Sequence, residues 1–171
     1  MSPGTGPGPA PGAGALQAIV ADLDYPMVVV TTRAGDERGG CLVGFSAQCS
    51  VDPPLLMVWL SVRNHTTRVA ERATALLVHF LASDQVPLAA LFGSRTGDEV
   101  DKFGLCAWSD GPGGLPLLAG CTRWVAGSIE ERTATGDHVA HLLVPFDGAA
   151  GPWPGQLGFQ AIKHLQPGHE A

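Results

Sequence analysis

Within Gly40–Arg68 (GCLVGFSAQCSVDPPLLMVWLSVRNHTTR) small residues, hydroxyls, a strand and a helix start follow one another in a single pass of the chain. Val43, Gly44, Phe45, Ser46, Ala47, Gln48 and Ser50 offer little bulk and many backbone donors, so a flat ring could lie close to the main chain. Further on, Asn64 can cap a helix beginning near His65, where the first amides are unpaired and the helix dipole is positive. Thr66 and Thr67 add hydroxyl donors there and Arg68 adds a charge, a group suited to a terminal phosphate. A phosphate-bearing ligand with a flat ring would suit this order of residues. The same residues would equally make an ordinary strand, a Pro-Pro turn and a capped helix.

The elements that must position them follow from pattern. Leu55–Val62 is an apolar, β-prone run introduced by Asp52-Pro53-Pro54, which cannot lie inside a helix, and it reads as a buried strand. Before it, Met1–Ala15 is almost wholly Pro, Gly, Ala, Ser and Thr and is expected to be a disordered tail. Leu16–Leu23 has its apolar residues on one helical face, and Met27–Thr32 is a strand that returns through a turn at Ala34–Glu37. Val69, Ala70, Ala73 and Leu76 continue the helix that Asn64 would cap, and Ala75–Leu81 is a strand. Ser83 or Asp84 is expected to cap a second helix reaching Phe92, followed by a polar loop over Gly93–Lys102 and a plain turn at Gly111–Gly114. Trp124–Glu131 and His138–Phe146 form a strand pair joined by Arg132–Asp137, which sets His138 at a strand mouth. Gln156–Phe159 is at most a short edge strand, and Gln166–Ala171 is expected to be loose. Strands outnumber helices, which indicates an antiparallel barrel with Greek-key connections, in one domain over residues 16–165.

Composition narrows the classes of function. The chain has 171 residues, of which 45% are hydrophobic, enough for a proper core. Its net charge of −6, with no basic stripe, argues against a nucleic-acid surface. No apolar run is long enough to span a membrane and no signal-peptide pattern occurs, so a cytoplasmic location is expected. Cys41, Cys49, Cys106 and Cys121 lack the paired spacing of a zinc or redox motif and are expected to be buried free thiols. His79 lies in an apolar run and reads as a core histidine. His138 and His141 are an odd number of positions apart, so a strand would turn them to opposite faces and a shared metal is not expected.

Ser50-Val51-Asp52-Pro53-Pro54-Leu55, the hydroxyl-rich segment before it, and Asn64-His65-Thr66-Thr67-Arg68 resemble the core signature of the flavin reductase-like family. Val28–Thr32 resembles the first barrel strand of that family and Gly136-Asp137-His138 its late Gly-Asp-His element, so the resemblance runs from about Tyr25 to Phe146. At Gly44-Phe45 this chain departs from the Asn-Ser that family members often carry. The resemblance implies a mainly β fold with short helices, a six-stranded antiparallel split β-barrel binding FMN or FAD at a homodimer interface. The dimer would also cover the apolar surface expected at Leu56, Val58 and Trp59. It further implies an NAD(P)H-dependent flavin reductase using NADH or NADPH, including the small component that serves a separate flavin-dependent monooxygenase. An FMN-containing oxidoreductase acting on another substrate, or a flavin-binding protein without turnover, would share the fold. Val43–Ser50 would then hold the flavin ring and ribityl chain, and Asn64, Thr66, Thr67 and Arg68 the phosphate. His138 would face the ring or the nicotinamide. Lys102-Phe103 resembles a basic-aromatic pair of the family that contacts phosphate or covers the ring; read without the resemblance, Lys102 is a solvated loop charge.

Overall fold

The computed structural model describes residues Ala10–Gly168. Along them run α1 (Pro11–Asp22), β1 (Val28–Ala34), β2 (Glu37–Val43), β3 (Ser46–Val51), β4 (Pro54–Ser61), α2 (His65–Ala70), β5 (Ala75–Phe80), α3 (Val86–Gly93), β6 (Trp108–Asp110), β7 (Pro116–Leu118), β8 (Arg123–Thr135), β9 (His138–Ala150) and α4 (Phe159–Ile162), with one-turn 3-10 helices at Lys102–Leu105 and Pro112–Gly114. Seven strands form one antiparallel sheet in the order β2-β1-β5-β8-β9-β4-β3, and β6 and β7 form a separate ribbon. This corrects the six-stranded barrel. Nine strands are present among the described residues, and the large sheet is not closed, since its end strands β2 and β3 are not paired. The sheet is nevertheless rolled, because Cys41 and Val43 near one end share a buried cluster with Val58 and Leu60 near the other.

Alternation explains the roll. Val28 and Val30 of β1, Leu76 and Val78 of β5 and Leu143 of β9 point into that cluster. Their neighbours Val29 and Leu77 are buried on the opposite face, Val29 in a cluster with Ala89 and Phe92 of α3 and Leu118 of β7, Leu77 with Leu115. β1 and β5 are therefore covered on both sides, which is why apolar residues follow one another without alternation in Val28–Val30 and Ala75–Val78.

Several boundaries differ from expectation. α1 begins at Pro11, inside the stretch expected to be a tail, whereas residues 1–9 and 169–171 of the two expected tails lie outside the described residues. α2 ends at Ala70, because Leu76 belongs to β5. α3 is preceded by Gln85 rather than capped by Ser83 or Asp84. β8 and β9 are each thirteen residues long and turn at Gly136 (φ 75°), so Arg132–Thr135 is strand rather than loop. Gln156 and Gly158 make isolated bridges to Ala82 and Pro26, and Phe159 starts α4. Val58 is fully buried in its own chain's core, and Leu56 and Trp59 are half-buried, which removes the exposed apolar strand expected there. All four cysteines are free; Cys41 and Cys121 are buried, Cys106 is half-buried, and Cys49, expected to be buried, is exposed on the edge strand β3. Among the described residues no helix is long and apolar enough to cross a membrane.

His79 is a core residue with both ring nitrogens used. Nδ1–H donates to the Val29 carbonyl at 3.0 Å, and Nε2 accepts the Leu118 amide at 3.1 Å, which ties the β6–β7 ribbon to the sheet. Because Nε2 must accept, the ring is held neutral. Burial pushes its pKa from 6.5 down to about 4, against a weaker upward pull from the Val29 carbonyl. The folded protein thus binds fewer protons here than the unfolded chain between pH 6.5 and 4. Stability is fully present above that window and falls as pH drops through it, by about 3 kcal/mol from this group. Urea unfolding at pH 7, 5.5 and 4 should show a steeper loss in the native chain than in His79→Gln. Parallel slopes would refute the neutral core imidazole.

Candidate active site

The site is built where β2 hands over to β3. Gly44 and Phe45 make that link, and the Phe45 carbonyl accepts the Trp59 amide at 3.0 Å, so the link lies against β4. β4 pairs with β9 so that Ser61 stands opposite His138 and Trp59 opposite Ala140. The Asp137 carbonyl accepts the Val62 amide at 3.0 Å, fixing the hairpin tip beside the end of β4. The rings of Phe45 and His138 therefore meet with centroids 5.1 Å apart. On the other side Tyr25 lies 6.5 Å from Phe45 and stacks on Phe159 at 4.7 Å and 12°.

Two cavities open on this cluster. The larger, about 510 Å³, is lined by Gly44, Phe45, Ser46, Trp59, Thr135, Asp137 and His138. A smaller one of about 230 Å³ adds Tyr25, Val43, Asn64 and Phe159 to the shared Gly44, Phe45, Trp59 and His138. Their size and their aromatic walls, with Ser46, Asn64, Thr135, Asp137 and His138 supplying polar groups, suit a small-molecule site.

His138 has one nitrogen committed. Its Nδ1 lies 2.6 Å from Asp137 Oδ1, and since a carboxylate can only accept, Nδ1 carries the proton and Nε2 is the free nitrogen. The hydrogen bond from His138 holds the Asp137 carboxyl below the usual carboxylate range, with a smaller contribution from Arg63. His141, on the opposite face from the rim, is buried; its Nδ1 lies 3.0 Å from the Val139 carbonyl and its Nε2 has no partner. The two histidines do not meet, and among the described residues no group of three or more His, Cys, Asp or Glu is arranged to hold a metal ion.

Of the residues singled out in the sequence, Val43, Gly44, Phe45, Ser46, Asn64 and His138 line the two cavities. Asn64 occupies the cap position of α2 but makes no side-chain capping bond. Ala47, Gln48 and Ser50 run on along β3 away from both cavities, with Gln48 and Ser50 linked by a 3.0 Å bond from Nε2 to the Ser50 carbonyl. The others are not brought to the groove. Thr66 and Thr67 are buried, with Thr67 Oγ1 donating to the Ser61 carbonyl at 2.5 Å. Arg68 is exposed and paired with Asp98, which also lies 3.3 Å from His65.

Lys102 is a buried ammonium rather than a solvated loop charge. Its Nζ donates to the Gly40 carbonyl at 3.0 Å and the Phe92 carbonyl at 3.1 Å. Burial lowers its pKa from the ordinary lysine value. Phe103 is buried between Phe92 and Trp108, with centroids 5.7 and 5.8 Å away. The groove residues missed in the sequence include Tyr25, Trp59, Thr135, Asp137 and Phe159. Only Asp137, inside Gly136-Asp137-His138, carried a local signal; the others arrive by folding.

Residues 20–144 match the family model described as flavin reductase like domain. The 4-hydroxyphenylacetate 3-monooxygenase reductase component of Klebsiella oxytoca is 30% identical over 127 residues, which are 72% of this chain and 74% of that one. A high molecular weight rubredoxin of Moorella thermoacetica is 29% identical over 130 residues, 74% of this chain but 56% of the relative, so the chain spans little more than half of that protein. The crystal structure of an FMN-binding protein from Thermus thermophilus with bound 1-cyclohex-2-enone matches with a TM-score of 0.72 and 26% identity, over 86% of this chain and 79% of that one.

Gly44 has a steric reason. A Cβ placed there would lie 2.7 Å from Tyr25 Cε2, so the ring can rest over the main chain only because the side chain is missing. Gly44→Ala should destabilise the fold by about 1–3 kcal/mol. The NMR ring signals of the sole tyrosine should at the same time shift as its stacking on Phe159 is disturbed. Unchanged tyrosine signals would contradict this contact.

Proposed function

The chain belongs to the flavin reductase like domain family, and we propose that it is an NAD(P)H-dependent flavin reductase, of the kind that serves as the reductase component of a two-component monooxygenase. The observation that carries this reading is the ring-lined double cavity at Gly44-Phe45, with His138 on its rim and Asn64 in the wall of its smaller compartment. Its donor set fits FMN or FAD: apolar and aromatic walls for a flat ring, with Ser46, Asn64, Thr135 and His138 to hydrogen-bond its polar groups. Flavin and nicotinamide, when bound, supply the hydride chemistry. The chain's own part is to hold the two rings in register, exclude water, and keep a proton on His138 Nδ1 against Asp137.

Two further parts of the reading concern setting. The working unit is a homodimer, supported by the apolar side chains of Val51 on β3 and Val144 and Phe146 on β9, which this chain leaves exposed. The site of action is the cytoplasm, in keeping with the nicotinamide donor. Light scattering at tens of micromolar should give twice the chain mass. A monomer that still binds flavin fully would refute the dimer.

The direct test is the oxidation of NADH and NADPH with and without added FMN or FAD. Turnover that depends on added flavin supports the reductase. Tightly copurifying FMN with reduction of a different acceptor would favour the alternative of an FMN-containing oxidoreductase, and flavin binding without nicotinamide oxidation would favour a binding protein. Absence of saturable flavin binding would remove every one of these readings.

Variants separate the roles. His138→Ala should leave flavin affinity within a few-fold but slow flavin bleaching by NAD(P)H in anaerobic stopped flow. Asn64→Ala removes a side chain that lines the cavity and should weaken flavin binding roughly tenfold, as for a lost hydrogen bond to a charged group. Arg68→Ala, whose guanidinium is engaged by Asp98, should change it less than about threefold. A large loss in Arg68→Ala would mean that Arg68 leaves Asp98 for the phosphate.

A further inference from the structure

Phe45 belongs to the walls of both compartments, together with Gly44, Trp59 and His138. It cannot be passed by a ring. Centroids 5.1 Å apart put Phe45 and His138 in direct contact, and 6.5 Å leaves no slot for a third ring between Phe45 and Tyr25. Two rings on either side of Phe45 would be separated by roughly two stacking distances, about 7 Å, whereas reacting atoms must come within about 3.5 Å. A hydride cannot cross while the phenyl ring stays where it is.

The ring is also the part of this wall that is free to leave. Tyr25 and Phe159 are stacked nearly parallel, at 12°, and Trp59 is held in β4. Phe45 meets its neighbours only at tilts of 49° and 52° and is 51% exposed. Its main chain, by contrast, is pinned, since its carbonyl accepts the Trp59 amide and the next residue, Ser46, is in register with Val58. Motion is therefore a rotation of the side chain about χ1, with no loop rearrangement needed.

We propose that the Phe45 ring is a displaceable partition, occupying the place where the second of the two reacting rings must stack, and that it thereby sets the affinity for the nicotinamide. The idea rests on the flavin reductase reading. With one ring bound, Phe45 covers it and keeps out water. A second planar ring must displace Phe45 to enter, so entry favours groups that stack at least as well as phenyl. Nicotinamide binding is weakened by the contact given up, as for any ligand whose competent state must first be opened.

The test uses flavin-loaded protein and NAD⁺ or NADP⁺, which bind to oxidised flavin without turnover. Calorimetric titration of the native chain, Phe45→Ala, Phe45→Leu and Phe45→Tyr gives equilibrium affinities, and steady-state assays give KM and kcat. Phe45→Ala should bind the oxidised nucleotide about twofold to tenfold more tightly, with KM for the reduced one falling by a similar factor and kcat moving less. Phe45→Leu should fall between, and Phe45→Tyr should match the native chain. Unchanged or weaker nucleotide binding in Phe45→Ala, with flavin still bound, would overturn the proposal and make Phe45 a fixed wall or a platform. Failure of the native chain to bind FMN or FAD would instead overturn the reductase reading beneath it. Since the ring is half exposed, all three variants are expected to fold, and Phe45→Leu keeps an apolar side chain if Phe45→Ala does not.

Discussion

The register of β4 on β9 is the constraint from which the site follows. With Ser61 opposite His138, and Val58 opposite His141, one histidine is set on the rim and the other in the core. Side chains alternate along a strand, so a slip of one residue would exchange these roles and turn Leu143 out of the core. Such a slip is opposed by all the apolar surface that the correct register buries. The same ladder brings Trp59 to the Phe45 carbonyl, which anchors the Gly44-Phe45 link beneath the cavities. The geometry of the groove is therefore secured by core packing on the far face of the same strands.

A second constraint lies behind the site. Lys102 places an ammonium almost wholly out of solvent, and satisfies it with two backbone carbonyls, one from β2 and one from α3, with the Phe92 ring 5.6 Å away. Burying such a charge costs several kcal/mol unless its hydrogen bonds are good, and charge-assisted bonds to carbonyls offset much of that cost. Gly40 makes the arrangement possible, because a Cβ there would lie 2.6 Å from Phe92 Cε1. The surface pairs nearby, Arg68 with Asp98 and Arg72 with Glu37, are exposed and contribute little individually. What holds α3 and the following loop against β2 is thus mainly the buried lysine and the Phe92, Phe103 and Trp108 rings.

These two constraints give the groove its unequal walls. Tyr25 and Phe159 are locked together by stacking, and Trp59 by its strand, while Phe45 is carried on a fixed main chain with little packed around its ring. A rigid frame with one loose ring suits a reaction in which two flat molecules must enter in turn and then lie face to face.

Strands β1, β4, β5, β8 and β9, the order of these elements and the placing of His138 at a strand mouth were determined by the sequence itself, whereas β6 and β7 were not. Each is a local matter of period, turn chemistry or side-chain bulk. Tertiary structure alone decided what depends on distant partners. Tyr25, Trp59 and Phe159 reach the groove from three separate elements, and no local pattern marks them. Arg68 and Thr67 sit at the helix start that the sequence indicates, yet Asp98 and the Ser61 carbonyl, far off or reached only through the fold, take their polar groups. Lys102 follows a polar loop and reads as solvated, until the carbonyls of Gly40 and Phe92 close around it. The open seven-stranded sheet was likewise beyond local reading, since whether end strands pair depends on how the whole sheet curls. Sequence period governs which face a residue takes; only the packed sheet governs what it meets there.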